Sequence, residues 1–170
     1  MSPENLSAAA RLCASCGLCC NGVLFHSVAL QPLDDPKALL SLGLKLKKKR
    51  KQVFIIQPCP AHKDSCCSIY DARPQRCRLF ACRQLELVRA GGISEAEAME
   101  KISTAKALVE VLDDLLCRAG SPNRRRSLRR RQQKVLDEPL DGPGGEVLRG
   151  QLAAAMTQLE EVLASDFRVN

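Results

Sequence analysis

Apolar residues come in short runs over the first ninety positions of this chain and in long stripes of helical spacing after them. Met99, Ile102, Ala105, Val109, Leu112 and Leu116 recur every three or four residues, and the capping box Ser94-Glu95-Ala96-Glu97 stands in front of them. That pattern predicts a helix over residues 94–117 with one buried stripe. Leu148, Leu152, Ala155, Met156, Leu159 and Leu163 predict another over 146–164. Between the two, Gly120-Ser121-Pro122-Asn123 is a break, residues 124–137 form a helical stretch with a weak apolar face, and residues 141–145 (DGPGG) read as a linker.

The first half is more punctuated. Residues 2–12 predict a short helix with Ser2 as its cap and Pro3 at its first position. Residues 23–30 (VLFHSVAL) have strand content. Asp35, Pro36 and Gly43 bracket a short helix over 35–43. A strand at 53–56 runs into Gln57-Pro58-Cys59-Pro60, where prolines stop it, and residues 61–72 read as loop. Arg73-Pro74 opens a single helix expected to reach Ala90 and stop at Gly91-Gly92. The expected fold is α+β, mainly helical: a small cysteine-rich metal-binding domain with short strands at residues 1–92, then a helical extension with a basic segment and a Gly/Pro linker at 93–170.

Composition adds a constraint. Only 3% of the 170 residues are aromatic and none is Trp, so the core must come from Leu, Val, Ile and Ala, each burying less surface than a ring. Ten cysteines could supply cross-linking instead. No signal-peptide pattern and no apolar run near the roughly 20 residues that span a bilayer is visible. A reducing cytoplasmic setting without membrane contact is therefore expected, where clustered cysteines mean metal or redox chemistry rather than disulfides.

The cysteines form two groups: Cys13, Cys16, Cys19 and Cys20 near the start, and Cys59, Cys66, Cys67, Cys77 and Cys82 downstream. A two-residue gap lets a turn aim both thiols at one centre, and thiolates favour zinc, iron–sulfur clusters or copper(I). Cys13-x2-Cys16-x2-Cys19 has the three-ligand rhythm of bacterial ferredoxins, but Cys20 follows at once instead of after three residues. Neighbouring side chains diverge, so Cys19 and Cys20 are expected to serve two adjacent centres, each drawing on both groups. The formal charge of +7 would then fall to about +3, since bound cysteines are thiolates.

Three pieces in order, CASCGLCC, QPCPAH and CSIYDARPQRCRLFAC, resemble the CxxCxxCC family, a zinc- or iron-chelating domain. The resemblance covers residues 13–82. It implies that Cys13, Cys16, Cys19, Cys20, Cys59, Cys67, Cys77 and Cys82 are the metal ligands, with an iron–sulfur cluster or zinc as cofactor. Flagellin lysine N-methylases, much longer chains, carry a similar cysteine domain. Many family members are called iron–sulfur oxidoreductases.

Other residues receive lesser roles. Cys66 is an extra beside Cys67, open as a ligand or a spare thiol; Cys117 is expected to be buried, and His26 and His62 to lie on the surface, although His62 could substitute as a ligand. Tyr70, Arg73 and Pro74 are expected to hold the ligand loop, Arg73 offsetting thiolate charge. The basic runs 45–51 and 124–134 are expected to be solvated; without aromatic neighbours they suit nucleic acid poorly. No nucleotide-binding glycine loop, no histidine–carboxylate constellation and no Cys-x3-Cys-x2-Cys spacing is present, which leaves enzyme status open. The preferred reading is a cytosolic metal-ion or iron–sulfur-cluster binding protein with a redox or metal-handling role. The alternative is a metal-stabilised adaptor that binds a protein or nucleic acid through its helices and basic runs.

Overall fold

The computed structural model describes residues 7–63, 66–138 and 144–169. The proposed Ser2 cap and most of the 141–145 linker lie outside them. The first helix, α1, is Ala8–Cys16. Ser7 caps it, its Oγ accepting from the amide of Ala10 at 3.3 Å, and Gly17 ends it in the left-handed region at φ 67°. The helix therefore runs four residues further than the 2–12 reading. Gly17 terminates a helix.

A three-stranded antiparallel sheet follows, in the order β1-β3-β2, from β1 (Ser27–Ala29), β2 (Leu46–Lys49) and β3 (Gln52–Ile56). The strand expected over 23–30 shortens to β1, because Leu24 turns inward as buried core and Val23 closes an Asx turn on Asn21 Oδ1 at 3.1 Å. Helix α2 (Pro36–Ser41) sits between β1 and β2, capped by Asp35, which accepts from Lys37 N at 2.8 Å. The basic run 45–51 is itself strand β2 and the hairpin tip. Its lysines are exposed as expected, and Arg50 takes φ 55° in the two-residue turn.

Two expectations fail between residues 61 and 90. The stretch 61–72 contains a small hairpin, β4 (His62–Lys63) with β5 (Cys66–Cys67). The single helix of 73–90 is two, α3 (Gln75–Leu79) and α4 (Arg83–Arg89). Phe80 breaks it in extended conformation, its ring meeting Phe25 edge-on at 5.0 Å. On an unbroken helix, side chains five residues apart such as those of Cys77 and Cys82 would diverge by about 140°. The break frees Cys82 to become the N-cap residue of α4.

The remaining elements are α5 (Glu95–Arg118), α6 (Leu128–Asp137), α7 (Gly145–Val162) and one closing π-helical turn at Leu163–Phe167. The capping box of α5 is present, with Ser94 and Glu97 bonded both ways. One apolar core joins Leu12, Leu18, Leu24 and Leu85 to Ile102, Leu112, Leu116, Leu128, Leu152 and Leu159, so the first helix packs on the C-terminal ones. A smaller core under the sheet holds Leu30, Leu39, Leu44, Ile55 and Ala61, with Cys59, Cys67 and Ile69 against it. Among the described residues, no helix is long and apolar enough to cross a membrane.

Two further expectations are corrected in the C-terminal half. Cys117 is exposed, because the buried stripe of α5 passes through Leu112, Leu115 and Leu116 and turns Cys117 outward. The basic run 124–134 is not uniformly solvated: Arg131 is 3% exposed, pairs with Asp113 and donates from Nε to the carbonyl of Ser121 at 3.0 Å.

Candidate metal centre

Short pieces of chain from six places carry the eight family-implied cysteines. Cys13 and Cys16 sit in the last turn of α1, three residues apart and so on one face. Cys19 and Cys20 follow in the turn that Gly17 opens, where the amides of Cys20 and Asn21 both donate to Gly17 O at 2.9 Å. Cys59 leaves the end of β3, Cys67 lies on β5, Cys77 on α3, and Cys82 opens α4.

Backbone bonds tie these pieces together. The amide of Cys59 donates to the carbonyl of Cys20 at 2.7 Å, which joins the two cysteine groups directly. The Asp34 side chain fastens the Cys77 helix: its Oδ1 accepts from Gln75 N, at the start of that helix, at 2.8 Å, while Oδ2 holds Gln31 N at 2.7 Å. Sequence reasoning gave Asp34 no role; its only trace is a second Asp beside the Asp35 cap.

The charges around each thiol show which ones are neighbours. Burial is the largest cause in every case and pushes Cys16 up to about 11, Cys20 up to about 12 and Cys77 up to about 11. It also raises Cys13, although that residue is exposed as a whole, together with Cys19 and Cys59. Other thiols add to the rise in each case, and these fall into two sets. Cys13, Cys16, Cys19 and Cys82 form one set: Cys82 raises Cys13, and Cys82 and Cys13 both raise Cys16 and Cys19. Cys20, Cys59, Cys67 and Cys77 form the other set, with Cys59 and Cys67 raising both Cys20 and Cys77. The sets adjoin through Cys20, which raises Cys19 and is itself raised by Cys13. The adjacent pair Cys19-Cys20 stands at the boundary, with Cys16 the foremost thiol acting on Cys19 and Cys59 the foremost acting on Cys20.

Donors already face some of these sulfurs. The amide of Leu18 bonds the Cys16 thiol, and the amides of Ala61 and His62 face that of Cys59, each favouring the thiolate. Arg73 lowers both Cys13 and Cys77, one from each set. Its guanidinium stacks 3.6 Å from the centroid of Tyr70 and its Nε donates to Tyr70 O at 2.9 Å. This is the charge-offsetting position expected of it. Cys66 faces away from Cys67, since successive strand residues point to opposite sides, and it is exposed.

His26 is exposed, but the expectation of a surface His62 is corrected: that residue is half-buried opposite Cys67, and burial lowers its pKa. Among the described residues, no three His, Cys, Asp or Glu side chains are drawn tightly enough to make a ready-formed metal cage.

The sequence pattern of the CxxCxxCC family, described as a "Putative zinc- or iron-chelating domain", matches residues 12–110, more than half of the chain. The chain belongs to the CxxCxxCC family. No curated protein and no solved structure matches it. The CxxCxxCC match begins inside α1 and ends within α5, so it takes in every cysteine of both sets and most of the helix that α1 packs against. The donor chemistry fits this family: thiolate-rich sets suit zinc or iron, whichever of the two is carried.

Proposed function

We propose that this protein binds two metal centres through eight thiolates, Cys13, Cys16, Cys19 and Cys82 holding one and Cys20, Cys59, Cys67 and Cys77 the other, and that it serves a cytoplasmic redox or metal-handling role. The observation that carries this reading is the division of the thiols into two fours, with Cys19 and Cys20 on opposite sides of the division. Four thiolates complete a tetrahedral zinc or the protein ligands of an iron–sulfur cluster. A bound cluster would supply one-electron chemistry, whereas zinc closed by four thiolates would hold the fold.

The chain's own residues have separable tasks. Burial keeps Cys13, Cys16, Cys19, Cys20, Cys59 and Cys77 protonated at neutral pH, so loading the sites releases protons. Arg73, between the sets, offsets the negative charge that gathers on both. The amides of Leu18, Ala61 and His62 stabilise thiolate over thiol. The test is metal analysis and visible absorption of anaerobically purified full-length protein. Two equivalents of zinc, or clusters absorbing near roughly 400 nm, support the reading. One zinc per chain refutes it.

A second reading, the adaptor, rests on the β2–β3 hairpin. Lys47, Lys48, Lys49, Arg50 and Lys51 are all exposed, and strand register sets Phe54 opposite Lys47. Phe54, Lys49, Arg50, Lys51 and Gln52 line an open cleft of about 420 Å³. The basic run has no aromatic residue in sequence, and strand pairing supplies one. Cations beside a ring suit single-stranded nucleic acid. Tight binding of a labelled oligonucleotide that weakens steeply with salt and with Lys48→Glu would favour it; elution from heparin at low salt would exclude it.

A further inference from the structure

The imidazole of His62 lies where the two thiol sets meet. It stands directly opposite Cys67 in the β4–β5 pair, so the two side chains share one face of the hairpin. Its own amide donates to Cys59 O at 3.0 Å. The ring's far edge rests on Gly17, the residue between Cys16 and Cys19. A Cβ on Gly17 would come within 2.8 Å of His62 Cε1 and 2.9 Å of Nε2. Only glycine therefore allows this approach, and it also suits the φ of 67°. The Nε2 atom is buried and, among the described residues, has no hydrogen-bond partner. A buried polar nitrogen left unpaired costs roughly 1–3 kcal/mol, so an uncompensated one calls for a partner.

We propose that His62 is a positioning residue of the metal site: in the loaded protein its Nε2–H donates to a thiolate of the Cys16–Cys19 turn and clips the β4–β5 hairpin to the first cysteine loop. This rests on the metal-binding reading and adds a member to it. Each set already has four thiols, so a further ligand is unnecessary, while the glycine that the ring rests on lies in the chain between Cys16 and Cys19, which become acceptors once ionised. The bond would give Nε2 its missing partner and couple one set, through Cys67, to the other. An imidazole acting as a nitrogen ligand is the competing outcome.

The test uses full-length protein with ¹⁵N-labelled histidine, loaded with cadmium-113 under anaerobic conditions. The result expected is an Nε2 that keeps its proton, exchanges slowly with solvent and shows no direct cadmium–nitrogen coupling. A deprotonated Nε2 with direct coupling overturns the proposal in favour of ligation. A freely exchanging proton overturns it in favour of no role. Failure to take up cadmium at all would instead count against the metal reading itself. Two variants give a second readout. His62→Gln retains a donor, and His62→Leu retains bulk without one. The Leu variant should lose metal to a competing chelator about 10- to 100-fold more readily, with Gln recovering most of the difference. Equal loss in both variants, or none in either, sinks the proposal.

Discussion

The amide of Cys59 donates to the carbonyl of Cys20 at 2.7 Å. This bond brings the chain after β3 alongside the turn that follows α1, so the end of one cysteine group lies against the start of the other. Cys20 consequently keeps company with Cys59, Cys67 and Cys77, whereas its neighbour Cys19 keeps company with Cys16, Cys82 and Cys13.

Single substitutions should respect that division. Cys16→Ser and Cys82→Ser are expected to lower the metal content of anaerobically purified protein by about half, and so are Cys59→Ser and Cys77→Ser. Combining Cys16→Ser with Cys82→Ser should cost no more metal than either alone, whereas Cys16→Ser with Cys77→Ser should abolish binding. Cys66→Ser should change nothing. Elemental analysis per chain reads all of these, and limited proteolysis should show faster cutting in the first half wherever metal is lost.

Alkaline pH should destabilise the metal-free protein. Folding raises Cys16 and Cys77 from 9.0 to about 11 and Cys20 to about 12. The folded state therefore holds these protons more tightly than the unfolded chain does. The stabilisation is complete below pH 9 and drains away as pH climbs toward about 12. Urea midpoints measured on metal-free protein from about pH 8 to about pH 11 should fall accordingly, and less steeply when Cys16, Cys20 and Cys77 are all replaced by Ser. Metal affinity has the opposite sign. Because binding displaces protons, zinc competition should weaken as pH is lowered.

Arg73→Met should weaken both centres together, because its charge acts on Cys13 in one set and Cys77 in the other. A loss of about 10- to 100-fold in metal retention is expected, with Arg73→Lys intermediate, since lysine keeps the charge but not the stack on Tyr70. Competition with a chelator measures it; selective loss of one centre would argue against a shared role.

Arg131→Met should destabilise the helical half without touching metal content. Arg131 is 3% exposed and its partner Asp113 is mostly buried, so removing Arg131 leaves Asp113 only its 3.4 Å pair with the exposed Arg124, at a cost of about 1–3 kcal/mol. Adding Asp113→Leu should recover much of it. Denaturant unfolding of the single and double variants is the measurement.

Gly22→Ala should loosen the contact between the cysteine loop and α6. A Cβ there would stand 3.0 Å from the Cα and Cβ of Ser127 and 3.3 Å from Pro58 N, and the φ of 86° disfavours any side chain. Backbone cannot step aside as a flexible side chain can, so a loss of about 1–3 kcal/mol is expected in thermal or denaturant unfolding.

The sequence alone determined what depends on near neighbours along the chain. The capping box at Ser94, the Asp35-Pro36 start and the stripe from Met99 to Leu116 are local signals, and local signals are written in consecutive residues. The cysteine spacing that marks the family was equally legible, because spacing is a local property. Tertiary structure alone decided the rest. Phe80 stops a helix because a ring from residue 25 waits for it, Arg131 is buried because Asp113 lies across from it, and His62 fits inward because Gly17 lacks a side chain. Each of these depends on a partner brought from elsewhere in the chain. Which thiols stand together depends likewise on where separate elements end, and chain order does not encode that.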